Sequence, residues 1–161
     1  MERIVGVLSD THGLLRPAVE QRLRQCQLIV HAGDIGNKDV LDRLQSMGNL
    51  VAVKGNIDRD TWAERLPEWE CIDFQGKNIL VIHDIARLGL DPKAANVDVV
   101  VYGHSHRSAI YRKEGVLYVN PGSAGPGRFV FPTTIAYLRL IDQQIIPEII
   151  SIQETRTGKG R

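Results

Sequence analysis

Residue types that coordinate metal ions follow five short apolar runs of this sequence. Four of the five histidines belong to this group, together with two aspartates and one asparagine. The group consists of Asp10, His12, Asp34, Asn56, His83, His104 and His106. Taken singly, each residue could be a turn or capping residue, as an aspartate after a strand commonly is. Their shared position at the ends of apolar runs is what indicates a common site.

The five apolar runs are predicted to be buried strands, and they lie at 4–9, 28–30, 50–53, 79–82 and 99–102. Two amphipathic helices are predicted between the first three runs, one beginning near Pro17 and the other near Asn37. Apolar strands joined by helical crossovers are typical of a parallel sheet that is covered on both faces.

The second half of the sequence has a different pattern, in which strand, polar turn and strand follow one another three times. Gly76, Gly115 and Asp142 stand near the three turns, as hairpins require. We therefore expect a mixed α/β fold in which hairpins extend a parallel core. A chain of 161 residues fits one domain, which we place at 1–153. The segment 154–161 is predicted to be a flexible tail.

The predicted strand ends can bring the seven residues together, because ligands of open α/β sheets gather beyond the carboxyl ends of the strands. Gly33, Gly55 and Gly103 each stand directly before a member of the group. A residue without a side chain permits the sharp turns and close backbone approach that such a site needs.

Electrostatics then requires cations at this site. Two carboxylates about 4 Å apart repel each other by about 4 kcal/mol at an effective dielectric constant near 20, and their desolvation adds to that cost. Carboxylate, imidazole and amide ligands suit Mn²⁺, Fe²⁺, Zn²⁺ or Ni²⁺, whereas a closed structural zinc site would favour thiolates. Seven ligands are too many for one ion with an open position, but two ions that share a carboxylate accommodate them.

The composition excludes several other classes of protein. Lys and Arg number 20 against 19 Asp and Glu, so no excess positive charge favours bulk nucleic-acid binding. The first apolar run is too short for a signal peptide or a membrane span, and we expect a cytoplasmic protein. Cys26 and Cys71 have no spacing typical of disulfides or zinc sites. The predicted hairpin edges are compatible with a homo-oligomer.

The motifs as a set resemble the calcineurin-like metallophosphoesterases, specifically the small single-domain phosphodiesterase group. The resemblance extends from Ile4 to about Ser123, through DTH at 10–12, GD at 33–34, GN at 55–56, His83, GHSH at 103–106 and NPGS at 120–123. It implies a four-layer α/β/β/α sandwich of mixed β-sheets. It also implies that Asp10, His12 and His106 hold one metal, that Asn56, His83 and His104 hold the other, and that Asp34 bridges the two.

The chemistry implied by this resemblance is hydrolysis of a small phosphate ester, with a phosphodiester preferred over a phosphomonoester. Two divalent ions, Mn²⁺ first with Ni²⁺, Fe²⁺ or Zn²⁺ as alternatives, would hold a bridging hydroxide as the nucleophile. Asp34, Asn56 and His83 would then be catalytic through the metals and the hydroxide. The alternative is a non-catalytic protein-binding scaffold, as in a retromer subunit of this fold whose motif has lost a metal histidine.

The sequence departs from the family at one catalytic position. Many metallophosphoesterases have a histidine after the asparagine of GN, thought to assist the leaving group, and here that residue is Ile57. The next residue, Asp58, is a candidate general acid if its surroundings keep it protonated, and otherwise a turn or cap residue.

Other residues have two interpretations each. Arg128 and Asn56 are candidates for contact with the substrate phosphate, although Arg128 fits a solvated loop equally well. His31 is predicted to be a hydrogen-bonded histidine at a strand end rather than a ligand. Asn120 and Ser123 either hold their loop beside the metals or form a simple turn. Trp62 and Trp69 either lie in the core or line a cleft.

Overall fold

Two five-stranded β-sheets pack face to face in the computed structural model, which describes residues 2–126 and 131–153. In chain order the strands are β1 (Arg3–Leu8), β2 (Leu28–His31), β3 (Leu50–Ala52), β4 (Trp69–Phe74), β5 (Lys77–Ile82), β6 (Val99–Val101), β7 (Ala109–Lys113), β8 (Val116–Asn120), β9 (Thr134–Ile141) and β10 (Gln144–Ser151). All five strands predicted in the first two thirds of the chain are present.

The first sheet has the order β10-β9-β1-β2-β3, with β1, β2 and β3 parallel to one another. Its crossovers are the helices α1 (Pro17–Leu23) and α2 (Lys38–Ser46). Pro17 is in the first turn of α1, where its missing N–H costs nothing. The Asn37 side chain caps α2 by accepting a hydrogen bond from the Val40 N–H at 3.0 Å. Neither helix is long and apolar enough to cross a membrane.

The second sheet has the order β4-β5-β6-β8-β7, in which β5, β6 and β8 are parallel. The hairpins β4–β5 and β7–β8 extend it, and β9–β10 extends the first sheet. Each hairpin turn has two residues with positive φ, as the right-handed strand twist favours. These residues are Gln75 and Gly76, Glu114 and Gly115, and Asp142 and Gln143. All three predicted hairpins are confirmed.

Three apolar clusters separate the layers of the sandwich. One lies between the helices and the first sheet, one between the two sheets, and one on the outer face of the second sheet. The outer cluster is covered by the 3₁₀ turn Ile85–Arg87 and by Leu88 and Leu90 from the loop that follows. The two-sheet sandwich is thus confirmed. Its fourth layer is a turn and a loop, since Gly89 and Pro92 disfavour a continuous helix in this segment.

The loops after β1 and β2 remain paired beyond the ends of their strands. Backbone N–H groups of Asp10, His12 and Gly13 donate to carbonyls of residues 33, 34 and 35 at 2.8 to 3.0 Å. In the second sheet, the Gly103 N–H donates to the His83 carbonyl at 3.0 Å. The loops that follow the strands are therefore fixed to one another before any ligand is considered.

His31 links these loops from within the core. It is fully buried, and its Nδ1 accepts a hydrogen bond from the Gly33 N–H at 3.0 Å. Its proton is therefore on Nε2, which donates to Thr11 Oγ1 at 2.9 Å, and the Thr11 hydroxyl donates to the Ile35 carbonyl at 2.8 Å. Burial lowers the pKa of His31 to about 3, so the ring is neutral. The prediction of a hydrogen-bonded strand-end histidine is confirmed.

Replacing His31 with glutamine is expected to reduce the loss in free energy of unfolding that occurs as the pH falls below 6.5. The His31 pKa is about 3 in the folded chain and 6.5 in the unfolded one, so below pH 6.5 only the unfolded chain gains this proton. Stability from His31 is thus lost as the pH falls from 6.5, by at most about 1.4 kcal/mol per pH unit. Urea unfolding of both proteins between pH 7 and 5, with chelator present, measures the difference. Equal slopes would contradict the buried neutral histidine.

Candidate metal centre

The seven predicted ligands come from the loops that follow five different strands, all at one edge of the sandwich. Asp10 and His12 follow β1, Asp34 follows β2, and Asn56 lies beyond β3. His83 follows β5, and the two histidines of GHSH follow β6. Because β1, β2 and β3 are parallel, as are β5 and β6, each sheet delivers its ligands to one edge. The two edges adjoin, so the seven side chains form one cluster.

Three imidazole nitrogens lie around two carboxylate oxygens at the centre of this cluster. Asp10 Oδ1 is 3.3 Å from Nε2 of His106 and 3.7 Å from Nε2 of His12. Asp34 Oδ2 is 3.3 Å from Nε2 of His83 and 3.6 Å from Nε2 of His12. Bonds of about 2.0 to 2.2 Å from one ion would place neighbouring ligand atoms about 3 to 3.5 Å apart. The observed spacing is close to that value and long for a hydrogen bond.

Two buried atoms of the cluster have no hydrogen-bond partner among the described residues. They are Asp10 Oδ1 and His12 Nε2, which face each other. A buried polar atom without a partner costs about 1 to 3 kcal/mol, so such atoms are few in folded proteins. A cation at this point would satisfy both. The donor set of carboxylate oxygen and imidazole nitrogen therefore fits divalent metal ions.

Hydrogen bonds hold one oxygen of each carboxylate and leave the other directed into the cluster. Asp10 Oδ2 accepts from the Ser9 hydroxyl at 2.7 Å and from the His104 N–H at 3.2 Å. Asp34 Oδ1 accepts from the Ile57 N–H at 3.1 Å. These bonds fix the direction of Asp10 Oδ1 and Asp34 Oδ2. Ser9 was missed by sequence reasoning, because a serine at the end of an apolar run has no signal of its own.

His83 is oriented in the way that metal-binding histidines commonly are. Its Nδ1 donates to the Ala32 carbonyl at 2.8 Å, which leaves Nε2 to face the cluster. The side-chain amide of Asn56 contacts Nε2 of His83 at 3.0 Å and Asp34 at 3.2 Å. The His104 ring stands edge-on to the His83 ring, with 5.2 Å between centroids, and is exposed to solvent. These three residues form the outer side of the cluster.

The charges of the site are mutually stabilised. Burial raises the carboxyl pKa of Asp10, but the nearby His12 imidazole and the hydrogen bond from Ser9 outweigh it, so the pKa lies below its ordinary value. The pKa of Asp34 is lowered in the same way, against burial, by His83. Burial lowers the pKa of His83, but Asp34 and Asp10 outweigh it and raise the pKa. Both carboxylates are therefore ionised, and a proton on His83 competes with a bound cation.

Five of the seven predicted ligands have a left-handed backbone conformation. Their φ angles are 56° for Asp10, 47° for His12, 56° for Asp34, 72° for His104 and 63° for His106. This region is uncommon for residues other than glycine and costs about 1 kcal/mol or more for each. Strained backbone of this kind concentrates at functional sites. The sequence pattern did not predict this strain. It indicated sharp turns at the glycines before the ligands, whereas the left-handed conformation also occurs at the ligand residues themselves.

Two of the glycines before the ligands are required by close approach. A Cβ atom on Gly103 would collide with Ser9 Oγ and Asp10 Oδ2, and one on Gly55 would collide with Asp34 Oδ1. Any larger residue would displace a carboxylate of the cluster. The prediction made for these glycines is confirmed.

Asp58 lies where the turn or cap interpretation, of the two left open for it, fits the geometry. Its side chain is buried, and its two oxygens accept hydrogen bonds from the N–H groups of Ile35, Gly36 and Gly55 at 2.9 to 3.1 Å. Both oxygens of the side chain are thus engaged by backbone N–H groups of the surrounding loops. Asp58 ties the loop after β2 to the loop after β3, as the turn or cap interpretation expects.

The NPGS segment holds its loop against the ligand loops. Asn120 Nδ2 donates to the Gly103 carbonyl and to Ser105 Oγ, each at 3.1 Å. Ser123 Oγ donates to the Asp10 carbonyl at 3.0 Å. Of the two interpretations of this segment, the geometry fits the positioning one. Arg128 lies outside the described residues.

The comparisons with known proteins agree with this geometry. The model of the calcineurin-like phosphoesterase superfamily domain matches residues 4–143. A probable metallophosphoesterase of Methanothermobacter thermautotrophicus is 31% identical, over 96% of this chain and 93% of that protein. A probable metallophosphoesterase of Methanocaldococcus jannaschii is 36% identical, over 74% of this chain and 67% of that protein. A phosphodiesterase of the same organism is 28% identical, over 73% of this chain and 82% of that protein.

Solved structures share the fold at lower sequence identity. An archaeal phosphodiesterase superposes with a TM-score of 0.76 at 22% identity, covering 91% of this chain and 99% of that one. Vacuolar protein sorting 29 of Cryptosporidium parvum superposes with a TM-score of 0.74 at 17% identity, covering 95% of this chain and 99% of that one. The family match over residues 4–143 and the archaeal relatives lead to one assignment: the chain belongs to the calcineurin-like phosphoesterase superfamily.

Proposed function

We propose that this protein is a two-metal-dependent hydrolase of phosphate esters, and most specifically a phosphodiesterase. The observation that carries the proposal is the position of Asp34 Oδ2, which lies between His12 and His83 at 3.6 and 3.3 Å. Asp10, His12 and His106 form one group of potential ligands, and Asp10, Asp34 and His83 form the other. Asp10 thus lies beside both groups, and Asp34 Oδ2 reaches from the second group to His12 of the first. A carboxylate oxygen between two sets of imidazoles is what a bridging ligand requires, which supports Asp34 in that role.

When bound, two divalent ions supply an acidified water molecule as the nucleophile and neutralise charge on the phosphoryl group. The side chains of the protein hold the ligand atoms in place. The hydroxyl groups nearby are engaged in hydrogen bonds, so they do not compete with the water molecule as nucleophiles. The Ser9 and Thr11 hydroxyls beside the cluster donate to Asp10 and to the Ile35 carbonyl, so neither is free to attack a substrate. Asp34, Asn56 and His83 would act through the metals.

The preference for a diester has two supports. The phosphodiesterase of M. jannaschii is a relative over 73% of this chain. The cleft beside His83 and His104 is also lined by more carboxylates than cations, which disfavours the second negative charge of a phosphomonoester. The ligand set suits Mn²⁺ first, and Ni²⁺, Fe²⁺ or Zn²⁺ as alternatives.

The setting that we propose is a single domain at 1–153 that acts on a small-molecule ester in the cytoplasm. Cys26 and Cys71 are both free, as is usual in a reducing compartment. The near balance of charge supports no bulk binding to nucleic acid.

A non-catalytic scaffold is the second candidate. The likeness in fold to vacuolar protein sorting 29 allows it, and Ile57 beside Asn56 is an apolar side chain that is 42% exposed at the site. A scaffold would be expected to bind metals without turnover, so measured turnover separates the two functions.

Asp34→Ala is expected to abolish binding of both metals, because the variant loses the carboxylate oxygen that lies between His12 and His83. The wild type should bind two Mn²⁺ per chain by calorimetry and elemental analysis. At a free Mn²⁺ concentration 100 times the dissociation constant of each site, it should gain about 2.7 kcal/mol of stability for each ion bound. Asp39→Ala removes an exposed carboxylate of α2 and is the matched control. Two ions bound to the Asp34 variant would rule out the bridging role.

The wild type with Mn²⁺ is expected to hydrolyse bis-nitrophenyl phosphate, and a chelator should stop the reaction. His83→Ala should lower kcat/KM on the order of 100-fold or more, since it removes an oriented ligand. Release of nitrophenol, measured with confirmed metal occupancy, tests both statements. A wild type that holds two ions but cleaves neither diesters nor monoesters would favour the scaffold.

Asp58→Asn is expected to lower stability and to leave the pH dependence of kcat unchanged. The amide group would replace a carboxylate oxygen with a donor that faces backbone N–H groups, at a cost of about 2 to 4 kcal/mol. Urea unfolding measures the loss, and a kcat profile from pH 5 to 9 tests the role in proton transfer. Loss of the basic limb of that profile in the variant would restore Asp58 as the general acid.

A further inference from the structure

A cleft of about 670 Å³ opens beside the outer side of the metal-ligand cluster. Its lining includes Asn56, His83 and His104, and it continues away from them along the segment that leads into β4 and along the start of the loop after β5. Most of the residues that line it are not among the seven predicted ligands. A substrate whose phosphate lay at the cluster would extend into it.

Trp69 lines this cleft and is 51% exposed. It is the first residue of the edge strand β4 and pairs with Ile82, the residue before His83. Residues directly opposite in an antiparallel pair have Cβ atoms about 4.5 to 5.5 Å apart, so Trp69 is anchored one residue from a predicted ligand. Trp62, in contrast, packs against the cluster between the helices and the first sheet. The exposure of Trp69 is therefore not shared by the other tryptophan.

The charges around Trp69 restrict what the cleft can hold. Its cationic side chains are Lys54, Arg59 and Arg87. Its carboxylates other than that of Asp58 are Asp60, Glu64, Glu68 and Asp84. A surface with more carboxylates than cations does not attract further phosphate or carboxylate groups. It suits an uncharged group, and an indole face exposed in a cleft stacks well on a flat ring.

We propose that Trp69 forms a subsite for an uncharged aromatic ring, a nucleobase or a simple aryl group, that is esterified to the substrate phosphate. This inference rests on the proposed function and deepens it by naming the substrate class. The phosphate lies at the metal cluster, and the ring stacks on Trp69 in the cleft. Esters that carry one phosphate and one flat neutral ring are thereby selected over aliphatic esters.

Phosphonates that the protein cannot hydrolyse test the subsite by binding alone. Benzylphosphonate and a thymidine phosphonate carry a ring, ethylphosphonate carries none, and carboxybenzylphosphonate carries a charged ring. Calorimetry on the Mn²⁺-loaded protein should show that the first two bind about 5 to 50 times more tightly than ethylphosphonate. The carboxylated ring should lose most of that advantage. The tighter of the two neutral rings identifies the source of the natural group.

Trp69→Ala should remove the advantage of the ring and change ethylphosphonate binding less than twofold, whereas Trp69→Phe should keep most of it. In the Trp62→Phe variant, Trp69 is the one tryptophan of the chain, and its fluorescence should be quenched saturably by the ring ligands but not by ethylphosphonate. Equal weakening of ring and ringless ligands in Trp69→Ala, or no weakening of either, would overturn the subsite.

Failure of the subsite and failure of the proposed function give different results. If the wild type binds ring and ringless phosphonates equally well but still hydrolyses bis-nitrophenyl phosphate, the subsite alone is overturned. Ring selectivity and quenching without any hydrolysis overturn the proposed function alone and leave a site that binds aromatic phosphate esters.

Discussion

The buried carboxylates of Asp10 and Asp34 set the conditions that the rest of the site must meet. Each has one oxygen held by hydrogen bonds and the other directed at histidine nitrogens. Two buried negative charges whose oxygen atoms lie within 4.8 Å of each other repel and lose their hydration, so positive charge must lie beside them. Histidine protons can supply part of it, and divalent ions can supply more.

The fold meets this condition by fixing five loops to one another through buried polar groups. His31 joins the loops after β1 and β2, and Asp58 joins the loops after β2 and β3. Asn120 holds the loop after β6. These bonds offset the strain of five ligands in the left-handed region, because each loop is constrained from more than one side. The same residues thus contribute to stability and to function. Side chains that would not contact a metal hold in place the side chains that would.

Much of this could be predicted from the sequence, because apolar runs, glycines and turn residues are local signals. The strands, both helices and the three hairpins follow from hydrophobic periodicity, from Pro17 and Asn37, and from turn chemistry at Gly76 and Gly115. The convergence of the ligands follows from the rule for strand ends in parallel sheets. The family resemblance supplied the order of the motifs and their division between two ions.

What the sequence did not predict depends on contacts between distant loops. The role of Asp58 is decided by three N–H groups, two of them more than twenty residues away, so its neighbours in sequence gave no signal. Ser9 contributes one hydroxyl whose partner is known only from the structure. The exposure of Trp69 likewise results from the place of β4 at the edge of its sheet, and the partial burial of Trp62 results from its packing against the cluster between the helices and the first sheet.

We propose that the cluster of carboxylates and imidazoles holds two metal ions that share Asp34. Anomalous diffraction from crystals grown with Mn²⁺ tests this directly. Two peaks about 3.5 to 4 Å apart are expected, with an Asp34 oxygen in contact with both. A single peak, or none, with the His12 and His83 rings turned away from the carboxylates, would contradict it.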